Sequence, residues 1–64
     1  MEPHQQRVVE EKAELDDRRA KLGEFKSTDL FASLPCSERE RLNTQAHIMT
    51  MYSAVLGERI AHFK

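Results

Sequence analysis

The sequence has one cysteine, Cys36, which by itself excludes an internal disulfide. No Cys/His spacing resembles a zinc site either, so the two common staples of very small domains are both missing. Lysine and arginine number 10 and aspartate and glutamate 11, leaving a formal net charge of −1 and no basic footprint for duplex nucleic acid. The N-terminus lacks an apolar h-region and no apolar run reaches membrane-spanning length, so neither secretion nor membrane insertion is expected. With a single unpaired thiol, a reducing cytoplasm is the simplest setting. Strand alternation and internal repeats are absent. At 64 residues the chain is expected to form one domain, residues 1–64, of a size where folding alone is marginal and oligomerisation is the remaining source of burial.

What the chain does have is helical periodicity, strongest from Ser37 to Phe63. Leu42, Gln45, Met49, Tyr52, Leu56, Arg59 and Phe63 step by three and four and predict an a/d stripe along one face. Ile48, Met51, Val55 and His62 widen that stripe, and Ala46, Thr50, Ser53, Ala54, Gly57 and Ala61 form a ridge of small residues beside it. Only a narrow strip near Asn43, His47 and Glu58 is plainly polar, which predicts a helix with partners on more than one side.

The first half predicts a second long helix at about residues 4 to 23, beginning near Pro3 and stopping around Gly23 to Lys26, where Gly23 offers a C-terminal cap. Its seam is Val8, Leu15 and Leu22, continued by Phe25, with a weaker stripe of Val9, Ala13 and Ala20. Ser27, Thr28 and Asp29 are N-cap candidates ahead of a short helical turn carrying Leu30, Phe31 and Leu34, which Pro35 stops. Ser37 and Glu40 match a capping box for the last helix, predicted at about residues 38 to 62. The short connection makes the fold all-α: an antiparallel helical hairpin with a short connecting helical turn that closes its end, assembling as a homo-oligomer through the last helix.

Candidate chemistry is sparse. No two of His4, His47 and His62 stand at i, i+4, and no second ligand lies at metal spacing, so neither metal nor cofactor is expected. Cys36 sits near a helix N-terminus, but neither a base nor an oxyanion site can be named for it, and an enzyme is the least favoured reading. Asp16, Asp17, Arg18 and Arg19 read either as a solvated helix face or as part of a set, with Lys12 and Arg19, that lines an anion pocket. Tyr52 and Arg59 lie one heptad apart beside Ser53 and Gly57. They read either as an ordinary helix interface or as a stacking and phosphate-holding group, because an arginine on an apolar stripe costs stability unless an anion satisfies it. Glu11, Glu14 and Asp17 are the carboxylates that could satisfy Arg59 instead.

The chain resembles a family of short phage-encoded proteins related to an open reading frame of a crAss-like phage. The resemblance rests on Gln6-Arg7-Val8-Val9, Glu11-Lys12, Glu14-Leu15, Lys21-Leu22, Phe25, Phe31, Leu34-Pro35, Leu42, Gln45, Met49, Tyr52-Ser53, Leu56 and Arg59-Ile60, and covers nearly the whole chain. Cys36 departs from the family's acidic turn. In size and plan such proteins are similar to small phage anti-defence factors, some of which sequester cyclic-nucleotide signals while others bind a defence protein directly. The resemblance implies a non-enzymatic oligomeric sponge in the host cytoplasm, with a cyclic nucleotide held between protomers by Tyr52, Arg59, Ser53, Lys12 and Arg19. The alternatives are an inhibitor or adaptor that docks an apolar helix on a host defence protein, and a purely structural helical oligomer.

Overall fold

The computed structural model describes residues 2–63, which form three helices and, among themselves, no strand: α1 (Pro3–Lys26), α2 (Asp29–Ser33) and α3 (Cys36–Ala61). Pro3 opens α1, where its missing N–H costs nothing, and the Gln5 side chain accepts from the Glu2 N–H at 3.0 Å. The helix passes Gly23, which has no positive φ and is not the cap expected of it. It ends one turn later at Lys26, where Ser27 N–H bonds the Glu24 carbonyl and Thr28 N–H that of Phe25. The extra turn has a packing reason: it carries the seam on to Phe25, whose ring meets Phe31 edge to face at 5.9 Å between centroids.

Thr28 is the N-cap of α2, its hydroxyl accepting from Phe31 N–H at 3.2 Å. Phe31 and Leu34 are half-buried at this end, whereas Leu30, expected to help close the hairpin, is 63% exposed. A five-residue helix has room to turn only one side inward, and Phe31 takes it. The start of α3 also differs from expectation. Pro35 is the N-cap, in extended conformation, and its carbonyl accepts from Glu38 and Arg39 at 3.0 Å each. Ser37 therefore lies inside the first turn, and no Ser37/Glu40 capping box forms, because a helix that begins at Cys36 has its orphan N–H groups two residues earlier than expected.

Cross-helix neighbours fix the direction of the hairpin. Lys12 lies by Gly57, Asp16 by Ser53, and Arg19 by Ser53 and Thr50, so advancing along α1 means retreating along α3. Val8, Leu15 and Leu56 are the buried apolar side chains, with Met49, Ile60 and Phe63 packed partly against them. Leu22 and Phe25 continue the α1 seam half-buried.

On α3 the inward face keeps Leu42, Met49, Leu56 and Phe63 of the expected stripe and loses its other members. Gln45, Tyr52 and Arg59 are exposed in the single chain, and Ala46, Ser53 and Ile60, each one residue later, face α1 instead. The reason is steric: a serine and an alanine let two helices approach where a tyrosine and an arginine would prop them apart. Gly57 makes the closest approach, since a Cβ there would stand 3.3 Å from Lys12 Cε.

Leu56 has no exposed surface, and its replacement by Ala is expected to cost about 2–5 kcal/mol. That is most of the stability a chain of this size holds, at roughly 0.1 kcal/mol per residue. Urea unfolding followed by circular dichroism should show Leu56→Ala losing its cooperative transition, while Leu30→Ala stays within about 0.5 kcal/mol of the parent.

Candidate functional site

The charge run of α1 divides in two. Arg18 pairs with Glu14 at 3.6 Å and Lys21 with Asp17 at 3.0 Å, both on the solvated side, where such pairs contribute little. Asp16 and Arg19 turn toward α3 and, with Lys12, Ser53 and Thr50, form the one polar cluster that bridges the two long helices among the described residues.

Asp16 is its hub. Oδ2 accepts from Lys12 Nζ at 2.7 Å, and Oδ1 accepts from Ser53 Oγ at 2.6 Å and from Arg19 Nη1 at 2.9 Å. Arg19 Nη1 also donates to Ser53 Oγ at 3.3 Å, and Nη2 donates to Thr50 Oγ1 at 3.4 Å. Thr50 in turn donates its hydroxyl proton to the Ala46 carbonyl at 3.0 Å. Each hydroxyl thus gives one proton and receives a guanidinium N–H, so the network is consistent in direction as well as in distance. Ser53 is buried, which makes its bond to Asp16 the cluster's anchor in the core.

Lys12, Ser53 and Arg19, in that order of effect, hold the Asp16 carboxyl well below the usual carboxylate range, against a smaller opposing effect of desolvation. The charges do not cancel: two cations meet one carboxylate, so 2 − 1 leaves one positive charge in surplus.

The remaining candidates lie outside this cluster. The Tyr52 hydroxyl donates to the Glu11 carboxylate, tying the exposed face of α3 to α1. Arg59 is exposed one heptad further on, and among the described residues no carboxylate pairs with it. Of its expected rivals, Glu11 is taken by Tyr52, Glu14 by Arg18 and Asp17 by Lys21. The chain brings Lys12, Arg19 and Ser53 together and leaves Tyr52 and Arg59 on the neighbouring outward face. Asp16 and Thr50 were not singled out from the sequence as site residues. Lys12, Asp16 and Arg19 do step by four and three beside the seam, and that spacing was the available signal.

His4, His47 and His62 stay apart and exposed, and the described residues hold no group of three metal-ligating side chains. Cys36 is exposed at the head of α3, its thiol 3.5 Å from a Glu40 carboxylate oxygen. No concave pocket occurs among the described residues of the single chain, and no helix there is long and apolar enough to cross a membrane.

The family model that matches is described as Sequestin, and it spans residues 2–62. The chain belongs to the Sequestin family. No curated protein and no solved structure gives a significant match. The family's name denotes sequestration, a binding role rather than a catalytic one.

A carboxyl held low in the folded state stabilises the fold above its unfolded pKa, near ~3.9 for Asp, and that stability is lost as pH falls below it. The parent should therefore lose thermal stability below about pH 4, and Asp16→Asn should lose less over the same range. The check is the difference between the two melting curves from pH 7 down to about 2, which should narrow as acid protonates Asp16 in the unfolded chain ahead of the folded one.

Proposed function

We propose that this chain is a phage-type anti-defence sponge: a non-enzymatic homo-oligomer that sequesters a cyclic-nucleotide immune signal in pockets between protomers. The phage origin and the host cytoplasm as its place of action come from the resemblance to short phage proteins. The sequestering role is carried by membership of the Sequestin family. The oligomer is supported by the outward face of α3, where Ile48, Met51, Tyr52 and Val55 are each 43–58% exposed on a chain with three buried apolar side chains.

Two magnitudes support it further. The chain exposes 4886 Å², against about 4,200 Å² for a compact monomer of 7.4 kDa. Its radius of gyration is 14.7 Å, where a compact 64-residue chain would have about 11 Å. The excess surface of about 700 Å² approaches the ~800 Å² that each partner contributes to a standard interface.

A sponge with no pocket in the single chain must build one between copies, and the face that would build it carries both an aromatic ring and a cation. Tyr52 supplies a half-exposed ring for stacking, and Arg59 a guanidinium one heptad along. Lys12 and Arg19 on α1 supply the surplus positive charge on the adjoining flank, beside the Ser53 hydroxyl. A second reading draws on the same apolar stripe: Ile48, Met51 and Val55, at spacings of three and four, are the pattern by which a helix docks into a groove on a host defence protein.

Met51 and Val55 are exposed in the single chain, so Met51→Lys with Val55→Lys tests assembly without touching the hairpin core. Light scattering should show a discrete oligomer for the parent and a folded monomer for the double variant. Calorimetry against cyclic di- and trinucleotides should show binding by the parent that is lost in the monomer and weakened in Arg59→Ala. A stable 7.4 kDa parent monomer that binds none of them would leave the docking reading as the better account.

A further inference from the structure

We infer that Asp16 is a positioning residue for anion binding. By fixing one side of the Arg19 guanidinium it presents the Nε/Nη2 edge to solvent as a fork for one phosphoryl group. The inference rests on the sequestering reading for its biological meaning, and on the cluster's geometry for its chemistry.

A guanidinium has five N–H donors arranged in fixed pairs. Here Nη1 is committed to Asp16 Oδ1 and Ser53 Oγ, and Nη2 gives one N–H to Thr50. That leaves Nε–H and the second Nη2 N–H with no acceptor among the described residues. Nε and Nη2 define one edge of the guanidinium, the arrangement that matches a pair of phosphate oxygens. The Arg19 side chain is 35% exposed, so part of it is in contact with solvent. Its partners on the other side are anchored: Ser53 is buried, and Thr50 is tied to its own helix through the Ala46 carbonyl.

Charge agrees with geometry. A closed structural network would pair one cation with one carboxylate, yet Lys12 and Arg19 share Asp16 alone. Lys12 is held on the same carboxylate at 2.7 Å, its chain passing close to Gly57, and adds an ammonium beside the fork. Asp16 therefore does two opposed things to an incoming anion. Its charge repels, and its hydrogen bonds hold the donors in place, which saves the ordering cost of a free arginine. The proposal is that positioning outweighs repulsion.

The two effects predict opposite signs on removal, which makes the test direct. The full chain is titrated with inorganic phosphate while the Arg19 Nε–H resonance is followed by NMR. In the parent that resonance should move saturably. Arg19→Lys keeps the charge but loses the fork, and should bind about tenfold more weakly. Asp16→Ala raises the net charge by one and should nevertheless weaken phosphate binding, by roughly fivefold, with the Arg19 resonance collapsing toward that of a free side chain. Asp16→Asn keeps the shape and the acceptor should Ala prove unfolded, and it should bind more weakly than the parent too. An Arg19 resonance that ignores phosphate overturns the inference, as does tighter or unchanged binding in the Asp16 variants. Phosphate binding at Arg19 in a protein that binds no cyclic nucleotide would sink the proposed function and keep this inference; nucleotide binding that leaves Arg19 unmoved would do the reverse.

Discussion

Two helices can bury only one face of each against the other, and this constraint governs the molecule. The hairpin's core is Val8, Leu15 and Leu56, with Met49, Ile60 and Phe63 half in and half out. At roughly 1.5–3 kcal/mol for each large side chain fully buried, such a core has little to spare. Every added ångström between the helices would weaken it, which is why the contact face of α3 runs through Ala46, Ser53 and Gly57 rather than through the larger residues beside them. Close approach creates the polar cluster as well. Only with α3 this near can a serine on it reach a carboxylate on α1 at 2.6 Å.

The all-helical content, the antiparallel order and the α1 seam were legible in the sequence, because seven-residue spacing of Val8, Leu15 and Leu22 has one helical interpretation. The α3 face was legible only in part: Leu42, Met49, Leu56 and Phe63 face inward as expected, but the other half of the stripe does not, and the reason is phase rather than period. Gln45, Tyr52 and Arg59 repeat with the same spacing as Ala46, Ser53 and Ile60, one residue or about 100° away. On a helix apolar around much of its circumference, periodicity cannot choose between them; the choice belongs to backbone separation, which depends on both helices at once. The helix ends fell within a few residues of expectation, but the caps assigned to them failed for a related reason. Gly23 and Ser37 carry the right side chains for caps, yet Phe25 needed one more turn to reach Phe31, and the extended Pro35 let α3 start early. Local signals lost to packing.

The candidate site shows the same division. Lys12, Arg19 and Ser53 were identified by residue type and do converge, whereas the group that joins them, Asp16, looked like one more charge in a solvated run. Asp16 and Asp17 are neighbours with opposite fates: Asp17 pairs outward with Lys21, and Asp16 turns inward to a buried hydroxyl. A charge run on a helix always has an inward and an outward member, and which is which follows from the seam. Lys12, Asp16 and Arg19 flank Leu15, so they border the interface.

The same cluster bears on how the two faces of α3 are used. The inward face spends its small residues on approach and on Ser53, leaving no room for a ligand between α1 and α3. The outward face keeps Ile48, Met51, Tyr52 and Val55, which the hairpin does not need. Tyr52 joins the two, since its hydroxyl is held by Glu11 on α1 while its ring stands at the edge of the apolar stripe. A ring fixed at its polar end costs less to immobilise against a planar partner than one free to rotate, by up to about 1 kcal/mol of side-chain entropy. The Arg19 guanidinium is held in the same manner, by Asp16, Ser53 and Thr50. Both groups are thus ordered within the hairpin itself, by the same few contacts between α1 and α3 that hold the fold.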